Sequence, residues 1–326
     1  MKNLEVMKNK SVEIIPIMVP SQSSLKSINF YLVKTEHSLS LVDAGFNNDD
    51  CYIALIKKLN KNGFSLTDLT DIILTHHHID HVGLVNRIYS EHQIPVYTHP
   101  LSIPRLTRDN TFLKMRVEFF STLYAQMGCG EMGKKQVEYL KEAIKKNSKN
   151  AITAMLHPLE DSQLHYFEII NTPGHAPDQI ALYDSSNKWI LSGDLLISHI
   201  SSNALVEPDL YGNRIHTLVE HIDSLRKCRS LQLDLVFPGH GEIIKTPNEL
   251  IQKRLDRIEE KSEKLLNLIN EGFNTGNSLA QIYYKSIYEK QFALVMSEII
   301  GFLDYLDIQE KVSKKLVEGV WRYFVK

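Results

Sequence analysis

The sequence predicts an α/β fold, a sandwich of sheets and helices with a helical insertion and a small C-terminal helical, winged-helix-like domain. Three observations carry this expectation. Short apolar, β-branched runs alternate with helical patterns from residue 11 to residue 246, as strands packed against helices do. The stretch 101–150 turns helical and basic, with ten Lys and Arg against five Asp and Glu. Beyond Pro247, the residues Ile251, Leu255, Ile258, Leu265 and Ile269 recur at helical spacing on a charged segment. The expected domains are therefore 1–246, with the insertion at 101–150, and 247–326.

In chain order, strands are predicted at 11–19, 28–33 and 38–42, the last running into an Asp43-Ala44-Gly45 turn. A helix at 50–60 stops near Gly63, and the buried run 71–74 delivers a polar cluster onto a loop. A helix at 82–89 and a strand at 95–98 precede the insertion. Strands resume at 166–170, 180–183, 189–191 and 233–237, with a helix at 215–227 between the last two. The tail reads as one long helix ending near Gly272, helices at 278–288 (Ser278 as cap) and 292–306, and a hairpin at 316–325 turning at Glu318-Gly319.

The 326 residues are 43% hydrophobic and 23% charged, an ordinary composition for a folded globular protein and one that excludes disorder as the main state. A formal charge of −2 offers no overall field for nucleic acid or anionic lipid. Three scattered cysteines, Cys51, Cys129 and Cys228, fit neither a disulfide framework nor a thiolate metal knuckle, and they point to a reducing cytoplasm. The first twenty residues carry charges throughout and lack the apolar core of a secretory leader. No apolar run is long enough to span a bilayer, so no membrane is expected.

The decisive stretch is Thr75-His76-His77-His78-Ile79-Asp80-His81-Val82-Gly83, directly after a buried strand. Neutral imidazoles and a carboxylate are the ligands that borderline divalent ions prefer. Alternate residues of an extended segment project to one side, so His76 and His78 can grip one ion while His77 points away; Asp80 and His81 can turn toward a second ion. A merely solvated histidine-rich loop is the rival, but such loops rarely enter a helix with so defined a spacing. Three Gly-flanked signals follow later strands: Thr172-Pro-Gly-His175, Ser192-Gly-Asp194 and Phe237-Pro-Gly-His-Gly241. Each alone reads as a turn; in order they form a set.

This order resembles the metallo-β-lactamase-fold hydrolase superfamily, over residues 14 to 244, and implies its αββα sandwich. By that resemblance His76, His78 and His175 hold a first metal, Asp80, His81 and His240 a second, and Asp194 bridges them. Asp43 would orient a ligand histidine. The implied cofactors are two divalent ions, Zn2+ foremost, with Fe or Mn as alternatives. The ligand set implies hydrolysis by activated water, Asp80 serving as catalytic proton shuttle. No G-x-S-x-G elbow offers a serine mechanism. Within the superfamily, the chain resembles the β-lactamase-like protein 2 branch more than glyoxalase II, whose glutathione-binding basic residues have no counterpart in the tail. Ester, thioester or lactone cleavage is expected first. Phosphodiester or endoribonuclease activity, a mononuclear iron persulfide dioxygenase and a metal-retaining regulatory protein are the alternatives.

The tail from 249 balances twelve Lys and Arg against twelve Asp and Glu, without the basic excess of a nucleic-acid module. Its Trp321, Tyr323 and Phe324 are expected to pack on the catalytic domain or on a second subunit of a homodimer. The insertion is expected to lie over the metals as a lid for an anionic, partly apolar small-molecule substrate, with Lys134 and Lys135 contributing charge. Its aromatics could equally well only pack on the sheet. Asn29, Asn203, Tyr211 and Arg214 fall where relatives place loops near the mouth. His99, His157, His165, His199, His216 and His221 lack motif context.

Overall fold

A computed structural model describes residues 7–8, 11–159 and 162–326. The amino-terminal segment read above for a secretory leader lies partly outside the described residues. Elements follow in the order β1 (Met7–Lys8), β2 (Glu13–Pro20), β3 (Ser27–Lys34), β4 (Leu39–Val42), α1 (Asp49–Lys61), β5 (Asp71–Ile73), α2 (Ile79–Val82), α3 (Val85–Glu91) and β6 (Val96–Thr98). The insertion supplies α4 (Ile103–Leu106), α5 (Asn110–Gln126) and α6 (Gly130–Lys146). Then come β7 (Leu156–Pro158), β8 (Gln163–Leu164), β9 (Phe167–Asn171), β10 (Ile180–Asp184), β11 (Trp189–Gly193), α7 (Thr217–Ser230) and β12 (Leu235–Pro238). The tail is α8 (Pro247–Asn270), α9 (Gly276–Tyr284), α10 (Ser286–Lys290), α11 (Phe292–Ile308), β13 (Val312–Val317) and β14 (Val320–Val325).

Among the described residues β1 to β7 form one sheet in sequence order, antiparallel up to β4 and parallel beyond it. A second sheet runs β12-β11-β10-β9-β8. The period-2 alternation of strand side chains decides what each face buries. Ile14, Val33, Val42 and Ile73 meet Phe167, Ile180, Leu182 and Phe237 between the sheets. Their neighbours Ile15, Leu32, Leu41 and Ile72 point outward onto Leu55 and Leu59 of α1 and Ile88 of α3. On the far side Ala181, Tyr183 and Ile190 pack against Leu225 and Cys228 of α7 and Ile251 of α8. The result is helices, sheet, sheet, helices. All three cysteines are free and buried.

Insertion and tail share one core. Phe120, Leu123, Tyr124 and Met127 of the α5 region cluster with Leu265 of α8, Leu279 of α9, and Met296, Ile299 and Leu303 of α11. Tyr323 of β14 is sealed into the same cluster, and Trp321 donates from its indole to Gln126 at 3.4 Å, whereas Phe324 stays 44% exposed. The predicted helix at 278–288 begins earlier and breaks: Thr275 is the N-cap in a capping box with Ser278, and Lys285, at φ 46, divides α9 from α10. The hairpin turns where expected, Glu318 and Gly319 both at positive φ, as a two-residue primed turn requires. None of the described helices is long and apolar enough to cross a membrane.

Candidate metal centre

The candidate ligands gather on one edge of the sandwich, most just beyond strand ends and Asp80 and His81 on α2. Thr75 and His76 follow β5, His175 lies between β9 and β10, Asp194 follows β11 directly, and His240 follows β12. Three groups bring ligand atoms within 4.8 Å of one another: His76, His78 and His175; Asp80, His81 and His240; and His76, His81 and Asp194. The last takes one histidine from each of the others.

Three of the imidazoles, those of His81, His240 and His175, are turned by a second contact. Asp43, after β4, accepts from the Thr75 amide and hydroxyl at 2.8 Å each, and from His81 Nδ1 at 2.7 Å. That fixes the His81 tautomer and aims Nε2 at the centre. His240 Nδ1 donates to the Ser27 carbonyl at 2.8 Å, and His175 Nδ1 to the Asn203 carbonyl at 2.8 Å. His76 and His175 Nε2 each lie 3.0 Å from His78 Nδ1. Asp194 Oδ1 lies 3.4 Å from His81 Nε2, and its Oδ2 lies 3.1 Å from His240 Nε2 and 3.5 Å from His175 Nε2. His240 Nε2 is also 3.4 Å from Asp80 Oδ2.

Backbone approach is unusually close here. A Cβ on Gly239 would stand 2.3 Å from Asp194 Oδ1 and 2.6 Å from His81 Cε1, so only glycine fits beneath the pair. Gly83, whose Cβ would meet the Asn47 amide nitrogen at 2.2 Å, lets α2 press its Asp80 and His81 against the Asp43 turn.

A cation suits this cradle. His81 Nε2, His240 Nε2 and Asp194 Oδ1 are buried without a hydrogen-bond partner, and each such atom costs about 1–3 kcal/mol when nothing satisfies it. Desolvation, then neighbouring histidines, holds His76 and His78 well below their ordinary range, and desolvation also lowers His175, so these three offer neutral lone pairs. Against desolvation, the Asp43, Asp194 and Asp80 carboxylates raise His81, and Asp194 and Asp80 push His240 up to about 9. Desolvation opposes ionisation of Asp194 and Asp80, but His81 and His240 hold both carboxyls low. A carboxylate-rich half beside a neutral imidazole half is a donor set for borderline divalent ions.

His77 points away from the cluster, as its place on an extended segment predicts, and binds the buried Asp178 at 2.7 Å; Asp178 also accepts from Ser102 at 2.5 Å. Asp178 escaped the sequence reading; its only signal is its place three residues after His175, and proximity in sequence does not name a partner a hundred residues away. Asn29 donates to the Pro238 and Gly241 carbonyls at 3.0 and 2.8 Å and so braces the His240 loop. Asn203 holds His175 through its carbonyl. Arg214 pairs with Asp304 of α11 at 2.8 Å, and Tyr211 is 87% exposed. Of the histidines without motif context, His99 caps a 3-10 turn, His165 pairs with Asp71, and His221 packs on Gly174.

The metallo-beta-lactamase superfamily model matches residues 24–240. The chain is also 31% identical over 314 residues, 96% of its own length and 97% of the relative's, to the probable metallo-hydrolase YqjP of Bacillus subtilis (strain 168). It belongs to the metallo-beta-lactamase superfamily, a superfamily of metallo-hydrolases. Over 302 residues, 90% of this chain and 78% of the relative, it is 21% identical to the atrochrysone carboxyl ACP thioesterase of Aspergillus fumigatus. A crystal structure of a metallo-beta-lactamase family protein from Thermus thermophilus has the same fold, at a TM-score of 0.76 and 23% identity, covering 96% of this chain and 98% of the other.

Proposed function

We propose that this chain is a dinuclear hydrolase, zinc being the expected metal, that cleaves an ester, thioester or lactone in a small molecule in the cytoplasm. The observation that carries the reading is the convergence of buried, unpartnered ligand atoms from His81, His240 and Asp194 beside the neutral trio His76, His78 and His175. His76, His78 and His175 would hold one ion and Asp80, His81 and His240 the other. Asp194 would join them, since its two oxygens face different members of the cluster. When bound, such a pair supplies Lewis acidity that acidifies water and neutralises charge growing on the substrate oxygen.

The protein's own share is orientation and proton traffic. Asp43 and the Ser27 and Asn203 carbonyls lock three imidazoles with the correct nitrogen inward. Asp80 faces His240 with Oδ2 and keeps Oδ1 without a hydrogen bond among the described residues, leaving an oxygen to take a proton from water and return it to the leaving group. The thioesterase relative lends weight to acyl chemistry, and the free buried thiols suit a reducing compartment. The test is elemental analysis of the purified protein, with turnover on neutral thioesters, lactones and bis(4-nitrophenyl) phosphate. Two ions per chain and preference for an acyl substrate are expected. One iron per chain with persulfide oxidation, or turnover confined to the phosphodiester, would overturn the reading.

A further inference from the structure

The insertion's positive charge divides into two populations. Lys134 and Lys135 ride exposed on α6, Lys134 already paired with Glu131 at 2.7 Å, and neither lines the cavity beside the cluster. Arg105, Arg108 and Arg116 instead line a cavity of about 220 Å³ whose wall includes His77 and His78. None of the residues lining it is acidic.

The partners of the three arginines differ. Arg116 is held by both oxygens of the buried Glu207. Arg105 donates to the Leu101 and Pro208 carbonyls at 2.8 and 3.2 Å, lies 3.9 Å from the same Glu207 carboxylate and stacks on Phe112 at 4.5 Å, but its buried Nε has no partner. The Arg108 guanidinium makes no hydrogen bond or ion pair among the described residues, although it is partly buried. Desolvation, then the Arg116 charge, lowers its pKa. A partly desolvated guanidinium whose fork of donors has no protein partner can be met by an oxoanion. Apart from the Asn150 amide, the rest of the wall, which includes Leu106, Phe112, Leu113 and Ile152, is hydrocarbon.

We propose that this cavity recognises an anionic group on the substrate, a carboxylate or phosphate carried on a short apolar stem, with Arg108 as its main contact and Arg105 Nε as a second donor. His78 belongs both to the cavity wall and to the metal-ligand cluster, so one molecule spans both, its reacting carbonyl at the cluster and its anion at Arg108. This rests on the hydrolase reading above and adds to it the substrate class.

The test compares three thioesters: neutral hexanoyl-N-acetylcysteamine, adipyl-N-acetylcysteamine with its carboxylate on the acyl side, and hexanoyl-4′-phosphopantetheine with its phosphate on the leaving side. Adipate binding to the purified protein is followed by calorimetry as a readout independent of turnover. At least one anionic thioester should exceed the neutral one tenfold in kcat/KM, through KM, and the margin should shrink with added salt. Arg108→Asn removes the charge with a residue that tolerates the φ of 57 found here, and should cut both that margin and adipate affinity about tenfold. Reversing charge at Lys134 and Lys135 should change neither. Equal turnover of all three thioesters in the wild type, or adipate binding unaffected by Arg108→Asn, overturns the proposal. If no thioester is cleaved, the thioester part of the hydrolase reading fails, while the adipate titration still decides the role of Arg108. The salt dependence needs no variant and decides the matter if Arg108→Asn does not fold.

Discussion

His81 and Leu303 are both fully sealed from solvent, yet they are buried on different terms. His81 brings two nitrogens into the interior; one is met by Asp43 at 2.7 Å and the other is left facing Asp194 at 3.4 Å. Leu303 brings only carbon into a cluster it shares with apolar side chains of α5, α8, α9 and β14, any of which another apolar side chain could replace. The ligand cradle is thus specified atom by atom, whereas the helical cover of insertion and tail is specified by volume. A fault in the cradle should remove chemistry and leave the fold; a fault in the cover should do the reverse.

The largest expected effect breaks the cover. Truncation after Thr246 would strip Leu265, Leu279, Met296, Ile299 and Leu303 from the core they share with α5. Each such side chain costs about 2–5 kcal/mol when lost singly, so together they are comparable to or larger than the roughly 5–15 kcal/mol of stability a domain holds. The truncated chain should be insoluble, or should lose the helical signal of α5 and α6 by circular dichroism and hydrogen exchange. A soluble, active 1–246 fragment would show that the shared core is dispensable and restore a simple two-domain picture.

Next in size is Asp194→Ala in the cradle. Its carboxylate is within 3.5 Å of His81, His240 and His175, so its removal should abolish hydrolysis and lower the content of both ions together. The thermal transition of the metal-depleted protein should stay cooperative, because no apolar contact is lost. Loss of one ion alone would show that Asp194 serves a single position.

This contrast also explains what could be seen in the sequence. Buried histidine and aspartate at strand ends are rare without a purpose, so His76, His78, Asp80, His81, His175, Asp194 and His240 stood out by residue type and order before any geometry was known. The two-sheet layering was legible for a similar reason, since period-2 alternation states which face of a strand is buried. The cover was not. Apolar spacing marked α5, α8 and α11 as helices but carries no address for a partner, and nothing in 101–150 says that Tyr124 will meet Phe292. Charge misled for the same reason: ten basic residues in a row of helices include exposed Lys134 and cavity-lining Arg108 alike, and only packing separates them. The helix break at Lys285 was hidden because lysine seldom occupies that backbone region, and no glycine marks the place.

A smaller effect sharpens the comparison within the cradle. Asp43 touches no substrate, but it orients His81 and holds Thr75 by two bonds. Asp43→Ala should weaken metal binding about 10–100-fold, the usual loss when such an outer partner is removed. Asp43→Asn should recover part of it, because an amide oxygen can still accept from His81 Nδ1. Competition with a chromogenic chelator reads the affinity directly. Unchanged affinity in Asp43→Ala would mean that the imidazole is fixed by packing alone.

The smallest effect separates neighbours in sequence. His77 and His78 are adjacent, but His78 lies 3.0 Å from both His76 and His175, while His77 binds Asp178, whose side chain is wholly buried. Removing His77 leaves Asp178 with its Ser102 bond only, and an unpaired buried acceptor costs about 1–3 kcal/mol. His77→Ala should therefore lower the melting temperature of the metal-free protein while leaving metal content near wild type. His78→Ala should do the opposite, lowering metal content and leaving metal-free stability nearly unchanged, since an imidazole packed among other imidazoles contributes little apolar burial. Measuring both quantities on both variants makes the result a crossing pattern that a general loss of folding cannot imitate. Equal losses of metal in the two variants would place His77 on the ligand side, and the facing of that segment would have to be reversed.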